Sequence, residues 1–193
     1  MLIYHPDLQA IDQQTRQLEN ERCKHCHRAQ QLVSHGFVYK KCGVGMVPKA
    51  VGKRVFCSNR NQHTGCGRTV QLYLDLTVRY LHYTGRDLLA FILEVLNGMT
   101  VQQAYCQATG TTEVRHAYRW LGRLEAQLSS YRSVIHQSAV LVDAMSVDRQ
   151  RRPRLNLLDS TLRCLLHQFG EPLCANYQGT LQRSFLPLAL SAA

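Results

Sequence analysis

Two pairs of cysteines carry the most specific chemistry in this chain. Cys23-Lys-His-Cys26 is a Cys-x2-Cys pair, and thirty residues later comes Cys57-x8-Cys66, followed by Gly67 and Arg68. A tetrahedral zinc ion takes four soft or borderline ligands, and a tight turn with two thiols supplies half of them. Gly65 and Gly67 flank Cys66 and give the second pair the backbone freedom that a metal-binding turn needs. The spacing therefore predicts one structural zinc held by Cys23, Cys26, Cys57 and Cys66. His63-x2-Cys66 also has the spacing of a metal-binding turn, so His63 is an alternative ligand to Cys57. His25, His27 and Cys42 are nearby, with Cys42 the least suited because it lies in a Gly-rich turn. Gly52-Lys53 is no phosphate-binding loop, since Val47 stands where the first glycine is needed and Arg54 where Ser or Thr should follow.

The second feature is charge. Twenty-three Lys and Arg against thirteen Asp and Glu give a formal net charge of +10 over 193 residues. Eleven of the basic residues fall between Arg22 and Arg79, with Asp75 the one acid there. Such an excess favours a polyanionic partner, nucleic acid before anionic membrane. The opening Met1-Leu2-Ile3-Tyr4-His5-Pro6 has neither the basic nor the long apolar region of a signal peptide. The apolar run Leu88–Leu93 is far short of a membrane span. The chain thus reads as a cytoplasmic, nucleoid-associated protein in a reducing compartment, where eight cysteines suggest metal binding more than disulfides. Cys106, Cys164 and Cys174 read as small buried hydrophobes.

These features must be held by local structure, and the pattern predicts an α+β chain, mostly α, in four parts. Residues 1–20 hold a short helix with Leu8, Ile11 and Leu18 on one face. Residues 21–76 read as short strands, including the alternating Val70–Asp75, around the zinc ribbon. That ribbon has few large apolar residues, so the metal would replace a missing core. Residues 77–135 read as three helices. Thr84-x2-Asp87 and Thr100-x2-Gln103 have capping-box form, and the second helix, Val101–Ala108, is short and ends at Gly110. The third begins at Thr111 or Thr112. Residues 136–193 read as a C-terminal helical, partner-binding segment, with a helix over 154–169 closed by Gly170 and Pro172.

A short second helix joined to a third by a glycine turn is the helix-turn-helix plan, with Ala104 allowing close approach. The predicted DNA contacts are Lys40, Lys41, Lys53, Arg54, Arg60 and Arg68 from the ribbon. From the third helix come Thr111, Thr112, Arg115, His116 and Arg119, where Arg can pair with guanine in the major groove. Farther along that helix, Leu121, Leu124, Leu128, Tyr131 and Ile135 continue an unbroken heptad stripe, which predicts a homodimer seam.

In this order, Cys23-x2-Cys26, Phe56-Cys57-Ser58-Asn59-Arg60, Gly65-Cys66-Gly67-Arg68-Thr69 and the capped helices ending Tyr118-Arg119-Trp120-Leu121 form a joint pattern. The pattern resembles the zinc-ribbon and helix-turn-helix N-terminal region of bacterial insertion-sequence transposases and their accessory DNA-binding proteins. It covers about residues 21–131. The chain departs from that family in the eight residues between Cys57 and Cys66, where two are usual, and in the later placement of Gly110. The resemblance implies a sequence-specific binder of double-stranded DNA in a mobile element, acting in transposition or its regulation with a transposase or recombinase as partner. The family's catalytic core has no room in the last sixty residues, where Asp143 follows a strand-like run, so the expected protein is not an enzyme. The alternative is a truncated or split transposase subunit that cleaves DNA with a partner.

Overall fold

The computed structural model describes residues 2–43, 45–137 and 153–187. These form an α+β fold with six helices and one four-stranded mixed sheet among the described residues. Two compact units emerge, one of residues 1–77 with 177–183, the other of 78–176 with 184–193. No described helix is long and apolar enough to cross a membrane. Asp143 and Asp148 lie outside the described residues.

The first unit is built on strands β1 (Leu2–His5), β2 (Leu32–Lys40), β3 (Lys49–Cys57) and β4 (Thr69–Leu74), in spatial order β1-β4-β3-β2. β2, β3 and β4 form an antiparallel meander, as the alternating pattern predicts, while β1 pairs with β4 in parallel. Helix α1 (Leu8–Arg16) starts where the Asp7 side chain accepts the Ala10 N–H at 2.7 Å. It lays Ile11, and the short 3-10 turn Leu18–Asn20 lays Leu18, on Val55, Val70 and Leu72. Tyr4, Val38, Val51 and Tyr73 make a second cluster. At the free edge of β1, the Gln182 amide takes the place of a strand partner. Its oxygen accepts the Tyr4 N–H at 2.8 Å and its nitrogen donates to the Tyr4 carbonyl at 3.1 Å.

The helix expected in residues 1–20 forms as α1, and Leu2–His5 adds a strand to the same sheet. The expectation that residues 21–76 lack a core is corrected, because Ile11 and Leu18 bring apolar cover from outside that segment. Apolar burial holds the sheet, and a metal at the cysteines would have only their turns to organise.

The second unit holds α2 (Gly85–Leu96), α3 (Val101–Thr109), α4 (Arg115–Gln137) and α5 (Pro153–Phe169). A sixth helix, α6 (Leu173–Leu181), contains the point where the two units divide. The Thr84–Asp87 capping box forms, and Thr100 accepts the Gln103 N–H. Gly110, at φ 69°, ends α3 in the left-handed region where glycine is unstrained. The core joins Tyr83, Phe91, Tyr105 and Trp120, whose rings meet edge to face at 5.1–6.2 Å. Ala104 and Ala117 are fully buried beside them. The third helix starts at Arg115, later than expected, because the Thr111 hydroxyl accepts the Glu113 N–H and so competes with helix formation before Arg115.

The heptad stripe is real but is occupied within the chain. Leu121, Leu124, Leu128, Tyr131 and Ile135 are all buried, with Leu158, Leu162 and Leu165 of α5 and the segment Phe185–Leu186 as buried company. The Tyr131 ring stacks on Phe185 at 5.3 Å, and its hydroxyl donates to the Phe185 carbonyl. Arg123 fastens the same segment, donating to the carbonyls of Leu186 at 2.5 Å and Pro187 at 2.9 and 3.0 Å. Those residues are therefore not a free dimer seam, and Leu158, Leu162 and Leu165 of α5 are not a free partner-binding face. A high local concentration of α5 fills the stripe first.

Candidate metal centre and basic surfaces

The four cysteines predicted as ligands come together. The sulfurs of Cys23, Cys26, Cys57 and Cys66 all lie within 4.8 Å of one another. Two edges of the cluster are 3.8 Å, Cys23 to Cys66, and 3.7 Å, Cys26 to Cys57. A tetrahedron with metal–sulfur bonds of about 2.3 Å has edges of about 3.8 Å, so the cluster has the size that zinc needs. A disulfide is far shorter, and all four thiols are free. His63 is not among the ligand atoms brought together, so the alternative set is not formed.

Two turns build the cluster, and they match each other. In the first, the Cys23 N–H donates to the Arg28 carbonyl at 3.0 Å and the His27 N–H to the Cys23 carbonyl at 2.8 Å. In the second, the Cys57 N–H donates to the Arg68 carbonyl and the Gly67 N–H to the Cys57 carbonyl, each at 2.9 Å. His27 and Gly67 occupy equivalent places, both left-handed at φ 58° and 72°. Each turn also points an N–H at its first sulfur: His25 at Cys23, 3.4 Å, and Cys66 at Cys57, 3.3 Å. Such bonds favour thiolate over thiol.

The eight-residue spacing does not break the second turn. Residues 58–65 leave and return at one point, where the Gly65 N–H donates to the Ser58 carbonyl at 2.7 Å. Gly65 is needed at that closure, since a Cβ there would lie 2.3 Å from the Ser58 oxygen and 2.5 Å from the Cys57 sulfur. The His63 N–H bonds the Arg60 carbonyl within the excursion. The loop is thus an insertion with closed feet, and Cys66 meets Cys57 as if the spacing were short.

The two turns are cross-braced by residues that the spacing did not single out. Arg28 donates to the Thr64 carbonyl of the opposite turn. Its counterpart Arg68 reaches back, its guanidinium 3.4 Å from His25 Nδ1. Gln31 adds a second clamp, accepting the Thr64 N–H at 2.7 Å on its side chain and the Ser58 N–H at 2.7 Å on its carbonyl. A signal was available for Arg28: Cys26-His27-Arg28 and Cys66-Gly67-Arg68 place an arginine two residues after the second cysteine of each pair.

Two of the four thiols are shifted, in opposite directions. Burial raises the cost of a charged Cys23, but N–H groups of Cys26 and His25 and the thiols of Cys57 and Cys66 outweigh it, lowering its pKa to about 7. Burial, with Cys23, Cys26 and Cys66 as competing thiols, pushes Cys57 up to about 12. Cys23 and Cys57 are buried, Cys26 is half-buried and Cys66 is the most open. Of the remaining cysteines Cys174 is buried, whereas Cys106 is exposed and Cys164 half-buried, against expectation.

The predicted DNA contacts divide. Lys41, Arg54, Arg60 and Arg68 are exposed, as are Thr112, just before α4, and Arg115 and Arg119 in its first turns. His116 and Thr111 are half-buried. Lys53 is drawn inward: its ammonium is 2.6 Å from Asp12 of α1 and 4.8 Å above the Phe37 ring, so its charge is spent inside the unit. Lys40 is half-buried, and burial lowers its pKa to about 8, with Cys42 opposing the shift. Neither is the free phosphate contact its charge suggested. The exposed row on α4 also includes Tyr118, 62% exposed, while Ala117 and Trp120 on the opposite side are buried.

No protein-family model matches the chain, and comparisons with curated proteins and with solved structures return no match.

Proposed function

We propose that this protein binds double-stranded DNA in a sequence-specific manner, using a zinc ribbon and a helix-turn-helix formed by α2, α3 and α4. The observation that supports it best is the start of α4. Arg115, Tyr118 and Arg119 stand exposed there, with Thr112 exposed in the segment just before, while Ala117 and Trp120 hold the helix from behind. Arg115 and Arg119 are one helical turn apart, like charges that repel each other unless a polyanion lies between. A fixed helix presenting such a row after a glycine turn has the layout of a groove-reading helix. The ion is zinc, structural rather than catalytic, because four thiolates leave no open position for a substrate. It holds the two cysteine turns in register so that Arg54, Arg60 and Arg68 are available to phosphates.

The order of motifs supports a role in a mobile element, as an end-binding, accessory or regulatory protein with a transposase or recombinase as partner. Selection from a random duplex library, followed by footprinting, tests this reading. Arg115→Ala or Arg119→Ala should cost about 1–3 kcal/mol on the selected site and relax its specificity. Arg54→Ala should weaken all duplexes alike and reduce the salt slope by about one unit. If the α4 variants kept the full sequence preference, the groove-reading role would be wrong.

A further inference from the structure

We propose that the hairpin of β2 and β3 is a second nucleic-acid site, a stacking platform for single-stranded DNA. Four of the large hydrophobic side chains that the fold leaves exposed belong to this hairpin: Phe37 at 45%, Tyr39 at 63%, Met46 at 48% and Val47 at 76%. Phe37 and Tyr39 lie on the edge strand with ring centroids 6.2 Å apart and planes tilted by 53°. Their exposure has a structural cause. Tyr39 pairs across the ladder with Ala50, whose single methyl is too small to cover the ring. Phe37 pairs with Lys53, whose ammonium sits over one ring face and is itself anchored by Asp12. Phe37 nonetheless keeps almost half of its surface exposed.

The ligand must be flat, apolar on its faces and anionic. Between Arg22 and Leu74 the sequence has ten Lys and Arg and no Asp or Glu, and exposed Lys41 and Lys49 stand at the two inner ends of the hairpin. Aromatic faces among basic side chains suit unpaired bases on a phosphate chain, since every base has a face to stack. Duplex bases are already stacked and cannot reach these rings. An added peptide strand is disfavoured, because the β2–β3 register shifts between Ser34 and Phe37 and again between Val38 and Tyr39, which disrupts an edge for pairing. The platform rests on the hairpin alone; the choice of DNA over RNA rests on the proposed function above.

Fluorescence anisotropy of the full zinc-loaded chain tests this, using labelled dT, dA and rU oligonucleotides of about fifteen nucleotides and a duplex of equal length. Phe37→Ala and Tyr39→Ala should each lower affinity for the dT strand about tenfold, with little change on the duplex. Tyr39→Phe should retain affinity for the dT strand. Arg115→Ala with Arg119→Ala should do the reverse, weakening the duplex and sparing the single strand. Ultraviolet crosslinking of the dT strand to the unmodified protein should map to Phe37 or Tyr39, a readout that needs no variant. The proposal is overturned if the ring variants leave single-strand affinity unchanged, if they weaken duplex equally, if the rU strand binds as tightly as dT, or if crosslinks fall elsewhere. A chain that bound single strands through these rings but read no duplex would keep the platform and remove the α4 assignment.

Discussion

Gly65→Ala is the smallest change that reaches the metal centre without touching a ligand. The added Cβ would lie 2.3 Å from the Ser58 carbonyl oxygen and 2.5 Å from the Cys57 sulfur, and neither can swing aside as a flexible side chain would. The feet of the 58–65 loop must part. Two hydrogen bonds go with them, Gly65 N–H to the Ser58 carbonyl at 2.7 Å and Cys66 N–H to the Cys57 sulfur at 3.3 Å. The first is worth about 1 kcal/mol net, and the second, to a thiolate, about 1.5–3 kcal/mol. A loss of about 3 kcal/mol is about two orders of magnitude in zinc affinity. Competition against a chromophoric zinc chelator measures it. Gly122→Ala is the matched control, since a Cβ there meets nothing within 4 Å. It lies in α4 and should raise helix stability by up to about 1 kcal/mol with zinc affinity unchanged. A Gly65→Ala protein that bound zinc as tightly as the unmodified chain would refute the closed-loop account of the second cysteine pair.

Three further outcomes follow from the packing. Trp120→Ala should cost about 3–5 kcal/mol in denaturant unfolding followed by helix signal, because it empties the centre of the Tyr83, Phe91 and Tyr105 cluster, while metal analysis finds the zinc content unchanged. Leu124→Ala should lower stability by about 3 kcal/mol and leave the sedimentation coefficient as it was, since fully buried Leu124 packs within one chain; a shift in oligomeric state would restore the dimer seam. Cys174 should resist iodoacetamide at pH 8 while exposed Cys106 is alkylated, as peptide mass spectrometry would show. Burial pushes the Cys174 thiol up to about 12, so at pH 8 it stays protonated and unreactive until the unit unfolds.

Local signals made much of the fold legible. The capping threonines, the glycine after α3 and the alternation through Val70–Leu74 each report on a few neighbouring residues, and those elements formed close to the expected positions. What was missed depends on distant partners. β1 is only four residues long and is a strand because β4, far along the chain, receives it in parallel. Helix α6 buries Leu173, Cys174, Ala175 and Tyr177 on several sides, so no amphipathic period marks it. The heptad along α4 announced a buried stripe without saying what buries it. Lys53 looked like a surface cation because nothing near it in sequence foretells Asp12. At the candidate metal centre the ligand types were legible, and the matched places of Arg28 and Arg68 were a signal left unread, whereas their partners and the loop closure at Gly65 are long-range hydrogen bonds that no spacing encodes.

The proposed DNA surface rests on a proposed four-sulfur zinc centre, and X-ray absorption at the zinc edge of the purified full chain tests that centre most directly. The account predicts one zinc per chain with four sulfur neighbours at about 2.3 Å and no nitrogen or oxygen in the first shell. A shell containing imidazole nitrogen, as His63 would supply, or a folded protein that binds no zinc, would contradict it.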